Sequence, residues 1–69
     1  MKTRLRVKEV ANEKGISLTK LSQRSEVAYN TVRRLWREPY TDVTISTLQR
    51  LAAVLGVTVN DLIEQVPDE

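Results

Sequence analysis

The chain has 69 residues and a formal net charge of +2, with no cysteine and no histidine. A chain this short holds one hydrophobic core, which excludes a multidomain enzyme, and the missing residue types remove disulfides, thiolate nucleophiles, the commonest zinc ligands and the commonest general base. Its apolar runs are short, as in Leu51-Ala52-Ala53-Val54-Leu55, against about 20 residues for a membrane span, and the first residues lack the apolar stretch of a signal peptide, so a soluble cytoplasmic protein is expected.

Residues 1–6 read as a basic N-terminal arm in which Leu5 and Val7 alternate with basic residues; the arm either pairs as a short strand or packs on a neighbour. A first helix over 7–14 places Val10 and Ala11 on one side and stops at Gly15, the favoured residue just past a helix end. One spacing then recurs four times. An apolar residue, a cap and a second apolar residue stand at i, i+1 and i+5 in Ile16-Ser17 with Leu21, Val27-Ala28 with Val32, Val43-Thr44 with Leu48, and Val57-Thr58 with Leu62. This is the clasp of a helix start, and it predicts helices over 18–24, 29–37, 45–55 and 59–65. Ala28 departs from it, because it offers no oxygen to the helix N–H groups. Thr58 with Asp61 outlines a capping box for the last helix.

Pro39-Tyr40-Thr41-Asp42 marks the longest internal loop, Gly56 closes the fourth helix and Pro67 ends the fifth. Leu48, Leu51, Ala52 and Leu55 form the stripe expected to face the core from a central fourth helix. The expected fold is all-α, with five helices over residues 7–65, the arm before them and an acidic tail at 66–69.

Charge is divided along the chain. Residues 1–37 carry ten Lys and Arg against three Glu, a net of +7, and residues 38–69 carry Arg50 against six acidic residues, a net of −5. Such a dipolar chain suits a polyanionic partner at one end. The third helix concentrates the effect. Ala28, Val32, Leu35 and Trp36 gather on one side, whereas Asn30, Arg33, Arg34 and Arg37 share the opposite arc, with Tyr29 at its margin. Three arginines on one stripe repel one another, so helix stability alone would not select them. A solvated basic face is the plainer alternative. Arginine, however, grips guanine O6 and N7 or a phosphate through two parallel hydrogen bonds, and asparagine pairs likewise with adenine.

The second and third helices, joined through Ser25-Glu26-Val27, form a helix-turn-helix. Ser17, Thr19 and Lys20 stand at the start of the second helix, where N–H groups, hydroxyls and an ammonium suit a phosphate, although capping alone accounts for Ser17. Trp36 lies on the buried arc and reads as core. Glu9 and Glu13 lie one helical turn apart but beside Lys8 and Lys14, as on a solvated face; no catalytic residue, metal ligand or cofactor site is expected.

Gly15-Ile16-Ser17, Leu21-Ser22, Val27, Tyr29-Asn30-Thr31-Val32-Arg33-Arg34-Leu35, Thr44-Ile45, Leu48, Leu51-Ala52, Leu55-Gly56-Val57 and Asp61-Leu62 together resemble the lambda-repressor/Cro-like helix-turn-helix family of the XRE type, over about residues 7–64. The resemblance implies a compact five-helix bundle whose third helix enters the major groove. It assigns base or adjacent phosphate contacts to Ala28, Tyr29, Asn30, Arg33 and Arg34, and places Leu18 and Thr19 where the second helix meets the backbone. Glu26 stands where the family's turn often has glycine, so a strained or altered turn is expected. The loop from Glu38 to Val43 lacks the basic residues many relatives direct at phosphates, which leaves that role to Lys20, Arg37, Tyr40 or the arm residues Lys2, Arg4 and Arg6. The implied function is that of a sequence-specific regulator of transcription, a repressor acting as a homodimer on a pseudo-palindromic operator. Val59, Ile63 and Val66, or Leu5, are candidates for the dimer surface. A protein-interaction module on the same fold, an antitoxin or adaptor, is the alternative.

Overall fold

A computed structural model describes residues 1–68; Glu69, the last residue of the expected acidic tail, lies outside the described residues. Strand β1 (Lys2–Leu5) is followed by helices α1 (Val7–Glu13), α2 (Leu18–Ser25), α3 (Tyr29–Arg37) and α4 (Ile45–Leu55), a 3₁₀ turn (Val59–Leu62) and strand β2 (Ile63–Val66). The capping chemistry operates where the sequence places it. Ser17 Oγ accepts from the Lys20 N–H at 3.2 Å and Thr44 Oγ1 from the Thr47 N–H at 3.3 Å, while Ala28 gives α3 no side-chain cap. Gly56 closes α4 at φ 72°, in the left-handed region that glycine enters without a Cβ penalty.

The expected all-α, five-helix fold is corrected at its last element: four α-helices and a small antiparallel sheet make up the described chain. Thr58 and Asp61 do start a helical turn, with the Asp61 carboxylate accepting from the Thr58 N–H at 3.0 Å and its hydroxyl at 3.1 Å. These bonds to Thr58 hold the Asp61 carboxyl below its ordinary range. After that turn the chain extends. Ile63 and Val66 are β-branched and suit a pleated strand. Their partner is the arm: Lys2 pairs with Val66 and Leu5 with Ile63 in antiparallel register.

Charge fixes that pairing. The Arg4 guanidinium bonds Glu64 at 2.9 Å and also contacts Glu9 of α1, and the N-terminal ammonium meets Asp68 at 2.8 Å. Gln65 Nε2 donates to Thr3 Oγ1 at 2.9 Å. The Arg6 N–H donates to Leu62 O and carries the ladder one residue further, while the Leu5 N–H donates to Pro39 O and ties β1 to the loop after α3, both at 2.7 Å. Leu5 is 4% exposed and belongs to the core, so it offers no dimer surface; Val59 and Ile63 are half-buried and pack against that core, and Val66 is half-buried.

Val7, Ala11, Leu21, Val32, Leu51 and Leu62 are fully enclosed, and the α4 stripe Leu48, Leu51, Ala52 and Leu55 is buried as expected. Helix α4 packs on α2, α1 and the 3₁₀ turn, and α3 packs on α2 and α1. Trp36 is half-buried against the same core.

The α2–α3 turn combines a strained residue with two buried hydroxyls. Glu26 has φ 59°, a left-handed conformation unfavourable by about 1–2 kcal/mol for a residue with a Cβ. Ser22 Oγ donates to Val27 O at 2.8 Å, and Ser25 Oγ donates to Leu21 O at 2.6 Å while accepting from the Val27 N–H at 3.3 Å. Two substitutions should therefore act in opposite directions in urea unfolding. Glu26→Gly is expected to stabilise the chain by about 0.5–1 kcal/mol by relieving the left-handed strain. Ser25→Ala, which leaves the Val27 N–H without its partner, is expected to cost about 1–2 kcal/mol. A loss with the first or no change with the second would contradict this account of the turn.

Candidate nucleic-acid interface

Helix α3 is amphipathic in an unusual sense: its inner face is apolar, and its outer face carries three arginines and no carboxylate. Val32 and Leu35 are buried, while Ala28, Asn30, Arg33, Arg34 and Arg37 are exposed and Tyr29 is 46% exposed. Asn30, Arg33, Arg34 and Arg37, with Glu38 at the helix end, border one shallow depression of about 230 Å³. Among the described residues none of these three arginines lies within 4.0 Å of a carboxylate oxygen. Their donors therefore face solvent unpaired, and no fold contact explains them. Planar guanidinium forks spaced along one helical stripe suit acceptors presented side by side, such as phosphate oxygens or the O6 and N7 of guanine.

At the start of α2, Thr19 and Lys20 are exposed, and Ser17 is the cap whose oxygen is occupied by the Lys20 N–H. Leu18 is half-buried against the core. Tyr40 stands apart from the arginine depression. It lines a second hollow of about 540 Å³ with Lys2, Leu5, Val43, Ile45 and other residues, and Lys2 Nζ lies 4.5 Å from its ring centroid. Within the arm, Arg4 is engaged by Glu9 and Glu64, which hold its guanidinium charged; burial tends to raise the Glu9 carboxyl, but the bond from Arg4 and a backbone bond carry it below its ordinary range. The arm's basic residues thus divide between internal partners and surface, a distinction that local sequence does not carry.

The residues that aim the arginine face were not singled out from the sequence as functional. Ser22 and Ser25 tie the end of α2 to Val27 of the turn through their hydroxyls. Their signal was present in spacing alone: two small residues three apart on α2, one of them one turn from the left-handed Glu26.

Residues 6–68 match the family described as the Cro/C1-type HTH DNA-binding domain. The HTH-type transcriptional regulator SinR of Bacillus subtilis is 33% identical over 60 residues, 87% of this chain and 54% of the relative, so the chain spans about half the length of the curated relatives it matches. A crystal structure of SinR, the master regulator for biofilm formation, in complex with DNA superposes with a TM-score of 0.74 at 34% identity, covering 80% of this chain and 87% of that one. A putative DNA-binding protein from Bacteroides fragilis gives 0.77 at 26% identity, covering 90% and 98%. With its helix pair, its cationic outer face and a match spanning nearly every residue, the chain belongs to the Cro/C1-type helix-turn-helix DNA-binding family.

Proposed function

We propose that the chain is a sequence-specific, double-stranded DNA-binding regulator of transcription, a cytoplasmic repressor that acts as a homodimer on a pseudo-palindromic operator by occluding it. The observation that carries this reading is the unpaired arginine ridge on the second helix of the helix-turn-helix. In the proposed complex α3 lies in the major groove. Arg33 and Arg34 read guanine, Asn30 reads adenine, and Ala28 and Tyr29 make base or adjacent contacts at the amino end. Ser17, Thr19 and Lys20 at the start of α2 fix the register on phosphates, with Arg37 and Tyr40 as flanking phosphate contacts. Two protomers place their α3 helices in successive grooves about 34 Å apart. No catalytic role is proposed, and no cofactor.

Binding-site selection on random duplex DNA followed by gel shift tests the proposal. Affinity for the selected duplex is expected to fall steeply with salt, with a logarithmic slope of about −0.9 per phosphate neutralised. Arg33→Ala or Arg34→Ala should relax specificity at one base pair at a cost of about 1–3 kcal/mol, while the unfolding midpoint stays put because both side chains are exposed. Absence of duplex binding, or affinity indifferent to salt, would overturn the proposal and favour a protein partner instead.

A further inference from the structure

The arginine depression is bounded at the carboxyl end of α3 by a carboxylate, Glu38. Helix stability does not account for it. A negative charge there meets the negative end of the helix dipole, and Glu38 follows Arg34 by four residues, the less favourable order for a helical ion pair. No such pair forms: among the described residues Glu38 has no basic nitrogen within 4.0 Å. The helix is closed by the Glu38 backbone, whose N–H donates to Arg34 O at 2.8 Å, and Glu38 at φ −122°, ψ 86° has left the α region, which the following Pro39 disfavours. The exposed side chain is thus a negative charge on the rim of a surface otherwise built of guanidinium and amide groups.

We propose that Glu38 is a specificity-determining residue that acts by charge, weakening the attachment of α3 to arbitrary DNA more than its attachment to the operator. The inference rests on α3 being the groove helix. Non-specific complexes are held by phosphates, the groups that Arg33, Arg34 and Arg37 meet when no base pattern fits, and Glu38 beside them repels the same phosphates. In the seated complex Asn30, Arg33 and Arg34 are engaged with base edges, whose uncharged acceptors Glu38 does not oppose to the same degree. Discrimination is therefore raised by lowering the competing affinity.

The test compares the unaltered chain, Glu38→Gln and the control Glu13→Gln on a random-sequence duplex and on the duplex recovered by selection, between 50 and 200 mM salt. Glu13 is an exposed carboxylate at the end of α1, outside the depression. Glu38→Gln is expected to bind the random duplex about three- to tenfold tighter at the low-salt end, with a salt slope steeper by up to about 0.9. The selected duplex should gain less, so the ratio between the two shrinks, while Glu13→Gln follows the unaltered chain. Equal gains on both duplexes, no gain on either, or a loss confined to one base pair of the selected duplex would overturn the inference, the last by making Glu38 a base reader. If the unaltered chain binds neither duplex, the DNA-binding reading falls and takes this inference with it; binding with an unchanged ratio removes the inference alone.

Discussion

Two buried side chains, Val32 and Leu35, decide which way α3 faces. Their removal from water is worth about 1.5–3 kcal/mol each, enough to fix the rotation of a nine-residue helix against α2 and α1. With that rotation set, the 100° step between residues carries Asn30, Arg33, Arg34 and Arg37 outward without any interaction of their own to hold them there. Orientation comes from the core, and chemistry from residues the core does not need. The serine hydroxyls of the α2–α3 turn complete the arrangement by tying α2 to Val27, two residues before α3 begins.

A net charge of +2 hides the electrostatic design, because two carboxylates of the acidic second half are brought to the N-terminal arm. Glu64 and Asp68 approach the arm, where they meet Arg4 and the N-terminal ammonium. Among the described residues the ridge on α3 has no carboxylate partner. Cancellation in the sum therefore coexists with a strongly cationic surface, the arrangement expected when one face meets a polyanion.

Much of this was legible from residue order. The bounds of α3 and α4 follow from caps, clasps and stripes, all of which act within a few residues and leave local traces. The inward side of α3 at Val32, Leu35 and Trp36 follows from periodicity, as does its cationic opposite, but Ala28, expected on the inward side, is exposed because it precedes the first helical residue. The expected fifth helix failed for the opposite reason: Thr58, Asp61 and Leu62 do carry a local helix-start signal, but the element competing with the helix is a strand about 60 residues away in sequence. Neither half of that sheet leaves a local trace of the other, and the Arg4–Glu64 and Thr3–Gln65 pairs are visible once the termini meet. Leu5 was misplaced by the same route, since an apolar residue in an arm looks available until the arm becomes a strand over the core. The place of Tyr40 is set by loop conformation, which puts it beside Lys2 and outside the arginine depression, and local sequence carries no trace of that.

Contact between the outer face of α3 and DNA is open to direct observation by titrating the isotopically labelled chain with its selected duplex and following backbone amide shifts by NMR. Shifts are expected to concentrate in Tyr29–Arg37 and at the start of α2, with the sheet formed by Lys2–Leu5 and Ile63–Val66 little changed. Shifts centred on that sheet, with α3 silent, would contradict it.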